Sequence, residues 1–105
     1  MLTPRIKMEL KRRQYTSALE LMEAGIKVSL ITDHPYNPID QLRTVASIAV
    51  SEGLKANDAI RCITINPAEI LQCSNRLGSL KEGNDADIVI FNGKPFDIKS
   101  KVEIT

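Results

Sequence analysis

Apolar positions along the chain follow two rhythms, and the change between them divides it. Ala18, Leu19 and Met22, with Tyr15 ahead of them, recur at i, i+3, i+4 and i+7 and predict one apolar stripe on a helix. Gly25 is placed to end that helix in a left-handed conformation. Residues 27–32, KVSLIT, then make a strand-length run of β-branched and bulky apolar side chains. Helical spacing returns with Leu42, Val45, Ala46 and Ala49 and stops at Gly53. Helix, tight turn, strand and helix is the order of an α/β unit.

Two asparagine–proline pairs mark further starts. In Asn37-Pro38-Ile39-Asp40 the asparagine can cap free N–H groups, proline suits the first helical position, and Asp40 suits the dipole. Asn66-Pro67-Ala68-Glu69 repeats the signal, with Glu69 completing a capping-box variant and a short helix over 67–72. Between them, Asn57-Asp58-Ala59-Ile60 starts a helix that turns Ala59, Ile60 and Ile63 inward. The second rhythm is β-like. Residues 77–80 and 86–91 read as strands around the turn-rich 81–85, and 102–105 as a final extended run after Asn92-Gly93 and Pro95. The expected boundary lies near 73–76, with α/β material in 1–74 and β material in 75–105.

Composition narrows the partners. The 105 residues amount to at most one small domain or a piece of a larger one. With 4% aromatics and no tryptophan, the core must come from aliphatic side chains, alanine and methionine. A net charge of +1 gives no electrostatic case for nucleic acid or an anionic membrane. Arg5, Lys7, Lys11, Arg12 and Arg13 cluster, but Glu9 interrupts them and no aromatic residue is interleaved, so a solvated face is expected. No apolar run approaches the ~20 residues that span a membrane. Cys62 and Cys73 lack the partners of a zinc site and are expected as reduced thiols, filling space in a cytoplasmic protein.

The candidate chemistry gathers at residues 33–36, just past the predicted strand. Charged and polar groups at the C-terminal end of such a strand are where α/β folds place ligands. Asp33 leads there, and the single histidine, His34, follows it. Pro35 leaves the His34–Pro35 bond open to either isomer. No glycine-rich phosphate loop follows the strand, which argues against a nucleotide-binding domain.

Two stretches, EAGIKVSLITDHP and AIRCITINPAEILQCSNRLGSLKEGNDADIVIFNG, resemble the C-terminal part of the metal-dependent amidohydrolases, the imidazolonepropionase-related group in particular. The resemblance runs from Ala18 to Phe96 and is most specific in NPAEIL and RLGSLKEGNDADIVIF. It implies an α/β chain that is the C-terminal fragment of a (β/α)8 TIM-like barrel, the last strand and its following helices, plus a C-terminal piece of a small β-sandwich. Asp33 would then be a ligand of a divalent metal, zinc foremost, and the proton shuttle of a metal-activated water. The substrate of such an enzyme would be a small amide or cyclic amide; His34, beside Asp33, is either a substrate-pocket residue or a surface histidine in a His-Pro turn. A carboxylate beside a metal-bound water can take its proton and pass it to a leaving nitrogen. The family's His-x-His pair has no counterpart here, and a complete barrel needs about 250 residues. The chain alone is therefore expected to be inactive and to hold no cofactor. Gln72 stands where the family usually has glycine, which leaves the end of that helix open. The alternative is a non-catalytic α/β interaction module whose exposed apolar faces are covered in a homo-oligomer.

Overall fold

The computed structural model describes residues 17–105. The basic cluster at 5–13, the weak alternation of Ile6, Met8 and Leu10, and Tyr15 lie outside the described residues. Among the described residues four helices come first: α1 (Ser17–Glu23), α2 (Leu42–Ser51), α3 (Ala56–Ile63) and α4 (Ile65–Ile70). A 3-10 turn at Ile39–Gln41 leads into α2, and an antiparallel ribbon of β1 (Ile90–Phe91) and β2 (Val102–Ile104) ends the chain.

Three of the helices stop in the same way. After α1, Ile26 N–H reaches the Leu21 carbonyl and Gly25 N–H that of Met22, with Gly25 at φ +80. After α2, Leu54 reaches Ala49 and Gly53 reaches Val50, with Gly53 at φ +113. After α4, Cys73 reaches Ala68 and Gln72 reaches Glu69, with Gln72 at φ +58. Each is a Schellman closure, which satisfies carbonyls that a helix end leaves free. Glutamine thus takes a left-handed site that favours glycine, and the helix end keeps its form.

The core lies between α1, α2, α3 and the extended segment 26–32. Ala18, Leu30, Val45, Ala46, Ala49, Leu54, Ala59 and Cys62 are buried together, and Met22, Val28, Ile63 and Phe96 pack against them. Ala46 and Ala49 on α2 and Ala59 on α3 are small enough for the packed helices to approach closely. The predicted inward positions of α2 are therefore in place. On α3, Ala59 and Cys62 are fully buried while Ile60 and Ile63 are half-buried.

Both asparagine caps require correction. Asn37 makes no cap: its Nδ2 donates to the Thr32 carbonyl at 3.0 Å. α4 begins at Ile65, one residue before Asn66, so Asn66 lies inside the helix and its Nδ2 donates to the Val28 carbonyl at 2.8 Å. Glu69 closes no capping box and pairs with Lys27.

The last third is less regular than its sequence suggests. Residues 77–79 are bends and residue 80 is irregular, because Gly78 sits at φ +91 and presses on α4. A Cβ at Gly78 would lie 2.8 Å from Ala68 Cβ and 2.9 Å from Ile65 Cα and the Thr64 carbonyl. Of the strand expected over 86–91, only Ile90 and Phe91 are paired, opposite Ile104 and Val102. A strand is only as long as its ladder, and among the described residues the ladder offered by 102–104 is short. Residues 27–32 likewise join no sheet among the described residues. The molecule is a small α/β piece with helices and a two-stranded sheet.

Candidate active-site turn

Segment 26–32 is held by helices along one edge. The Leu30 N–H donates to the Cys62 carbonyl at 3.0 Å, and the Val28 and Thr32 carbonyls accept from Asn66 and Asn37. Leu30 and Thr32 point inward and are buried, whereas Ile31 between them is 47% exposed. This alternation is that of a strand with one buried face. Lys27, paired with Glu69 on α4, anchors its start, and the Lys27 ammonium holds the Glu69 carboxyl below the usual carboxylate range.

Past Thr32 the backbone reverses. Asp33 adopts φ +59, the His34–Pro35 bond is cis, and the Tyr36 N–H donates to the Asp33 carbonyl at 2.8 Å. This is a type VI turn over residues 33–36. Aspartate is among the few residues that take the left-handed region with any frequency. Asp33 and His34 are both exposed, and no hydrogen bond or ion pair engages the Asp33 carboxylate among the described residues. The structure thus brings Asp33, His34 and Asn37 together at the end of one extended segment.

A catalytic zinc site draws three ligands from the protein. No group of three histidine, cysteine or acidic side chains that could hold a metal occurs among the described residues. Asp33 could supply one carboxylate, so the described residues do not fit a complete metal centre. Cys62 is buried and Cys73 half-buried, both with free thiols. Burial pushes the Cys62 thiol above its ordinary value, and Asp58 adds to the effect. Cys62 lies 3.5 Å from Met22 Sδ and packs α3 against α1.

A sizeable cavity lies elsewhere. A cleft of about 930 Å³ opens between α3, α4 and the last third, lined by Ile60, Ile63, Leu71, Leu77, Ile88 and Phe91 among others. None of residues 33–37 lines it. Its wall is mostly apolar, with Cys73, Ser79, Asp85 and Asp87 among its polar members.

Arg43 carries no candidate role in the sequence yet joins the two parts of the molecule. From α2 its guanidinium donates to the carbonyls of Pro95, Asp97 and Ser100, the latter two at 2.8 and 2.7 Å, and lies 5.0 Å from the centre of the Phe91 ring. One signal could have found it: Arg43 is a lone cation on the helical face shared with Ala46 and Val50.

A model described as "Amidohydrolase family" matches residues 4–105. The chain belongs to the amidohydrolase family. An amidohydrolase of Thermotoga maritima MSB8 superposes on 97% of this chain with a TM-score of 0.86 and 40% sequence identity, using 27% of its own length. Among curated amidohydrolase-like relatives, the imidazolonepropionase of Thermoplasma acidophilum is 32% identical over 85 residues, which cover 79% of this chain and 21% of that enzyme. The N-substituted formamide deformylase of Arthrobacter pascens is 31% identical over 88 residues, 73% of this chain and 16% of that enzyme. The chain therefore spans about a fifth of the length of the curated relatives it matches. No helix among the described residues is long and apolar enough to cross a membrane.

Proposed function

We propose that this chain is the C-terminal portion of a cytoplasmic amidohydrolase that cleaves a C–N bond in a small amide or cyclic amide. Residues 27–32 are the last strand of a (β/α)8 barrel, residues 1–74 belong to that barrel, and residues 75–105 contribute to a small β-sandwich. Support comes from the family match across residues 4–105 and from relatives named for imidazolonepropionate and N-substituted formamide chemistry. The observation that carries the proposal is the Asp33 carboxylate, exposed and unengaged among the described residues at the end of an extended segment.

Asp33 is assigned two tasks. Its carboxylate joins ligands from outside the described residues, and it holds the proton released when water attacks and delivers it to the departing nitrogen. A carboxylate used in this way contributes about 10²- to 10⁴-fold to rate. A divalent metal, zinc foremost, would supply activation of the water when bound. His34, next in the turn and exposed, is assigned to contact the substrate. The 105 residues alone are proposed to be inactive, because the turn brings a single carboxylate to the site among the described residues.

The test is to express the longest reading frame that contains this chain and offer it an imidazolone-type ring amide and an N-substituted formamide. Turnover of either, lost on chelation and restored by a divalent metal, is expected. A purified, folded product that holds stoichiometric metal and turns over no C–N substrate across such a panel would contradict the proposal.

One observation favours a second assignment, an interaction module. Leu80 is 81% exposed and Ile98 is 96% exposed, and Ile88, Val89, Ile90 and Ile104 are also open to solvent. Apolar surface of that kind is ordinarily covered by protein.

A further inference from the structure

We propose that Asn37 is a positioning residue for the Asp33 carboxylate, a role that rests on the function proposed above for Asp33. The ground is the way the end of segment 26–32 is held. In an extended chain the N–H and C=O of alternate residues point to the same edge, so Val28, Leu30 and Thr32 share one. On that edge Val28 is bound by Asn66, Leu30 by the Cys62 carbonyl, and Thr32 by Asn37. The first two partners belong to α4 and α3 and hold the segment short of its end. Asn37 is the partner that reaches across the turn itself.

Its bond to the Thr32 carbonyl closes a ring around Asp33, His34, Pro35 and Tyr36, and within that ring the Tyr36 N–H holds the Asp33 carbonyl. The carbonyls on both sides of the Asp33 Cα are thereby fixed. Two fixed peptide planes set φ and ψ at Asp33, and with them the direction in which its Cβ leaves the chain. The constraint matters because φ is +59, where an L residue with a side chain is outcompeted by negative φ unless held. Released from Asn37, the turn can relax and carry the carboxylate with it. A misplacement of about 1 Å at a reacting group costs on the order of a hundredfold in rate.

Asn37→Leu keeps the branched four-atom skeleton and removes the donor, while Asn37→Gln keeps the donor on a longer arm. In the hydrolase that contains this chain, Asn37→Leu is expected to lower kcat about ten- to hundredfold with KM within about twofold, and Asn37→Gln to recover part of the loss. In the 105-residue chain, amide hydrogen exchange at Tyr36 is expected to rise about three- to tenfold in Asn37→Leu, with the helix-closing amides of Leu54 and Cys73 unchanged. Wild-type kcat in Asn37→Leu would overturn the proposal, as would a loss of kcat accompanied by faster exchange throughout the chain. Asp33→Asn, measured in parallel, separates the two layers. If Asp33→Asn is inactive and Asn37→Leu is normal, only the role of Asn37 fails. If Asp33→Asn turns over normally, the role of Asp33 fails and that of Asn37 with it.

Discussion

Single side chains do more in this molecule than their local sequence announces. Both Asn-Pro pairs carry the pattern of a helix cap, and both asparagines instead hold carbonyls of segment 26–32. A cap signal records which groups could be satisfied locally, whereas a helix that begins one residue early leaves the amide free for a distant acceptor. The place of Asp33 at the end of the apolar run was legible, because an acid there stands out; its left-handed backbone was not. Gln72 is the reverse case, a strained residue at a well-defined site. Gln72→Gly is expected to raise stability by about 0.5–1 kcal/mol, read as a higher midpoint in urea unfolding, since the left-handed penalty disappears while glycine's added chain entropy offsets part of it. Arg43→Lys tests the grip on the last third. A lysine cannot reproduce a planar fork donating to three carbonyls, so a loss of about 1–3 kcal/mol is expected, with exchange at the Ser100 amide rising first.

At the scale of elements, the helices were legible and the strands less so, for a physical reason. A helix satisfies its own backbone, so the inward set Val45, Ala46 and Ala49 and the stops at Gly25 and Gly53 could be read along the chain. A strand depends on a partner that local sequence does not name. Hence 77–80 fails to become a strand, where contact with α4 requires a glycine at positive φ. Gly78→Ala would put a methyl group within 2.9 Å of backbone at Thr64 and Ile65, and these atoms have no rotamer by which to yield. A loss of about 2 kcal/mol or more is expected by thermal or urea unfolding. Cys62 sets a pH limit on the α1–α3 contact. Its thiol is pushed up by burial, so the unfolded chain ionises first and stability is complete below the ordinary thiol pKa. Stability should therefore fall as pH rises past about 8.5 toward the higher folded value, and Cys62→Ala should flatten that fall.

At the scale of the whole molecule, the proposal that the chain is part of a larger protein rests on a contrast in coverage. The chain covers 27% of the Thermotoga amidohydrolase it resembles in structure, yet aligns with it over nearly all its own length. That contrast accounts for a candidate site with one acid and for a strand-like segment held by helices along one edge. It also bears on the exposed apolar side chains of the last third. Sedimentation of the 105-residue chain separates the two functional assignments: the interaction module requires a concentration-dependent oligomer, and a monomer across the accessible range would exclude it. The central claim, however, is the role of Asp33, and the most direct measurement is the turnover of Asp33→Asn in the complete enzyme beside the wild type. The account predicts that kcat falls at least about a hundredfold while the fold and melting temperature are retained, because the amide keeps the shape and cannot take the proton. An Asp33→Asn enzyme with wild-type kcat would contradict it.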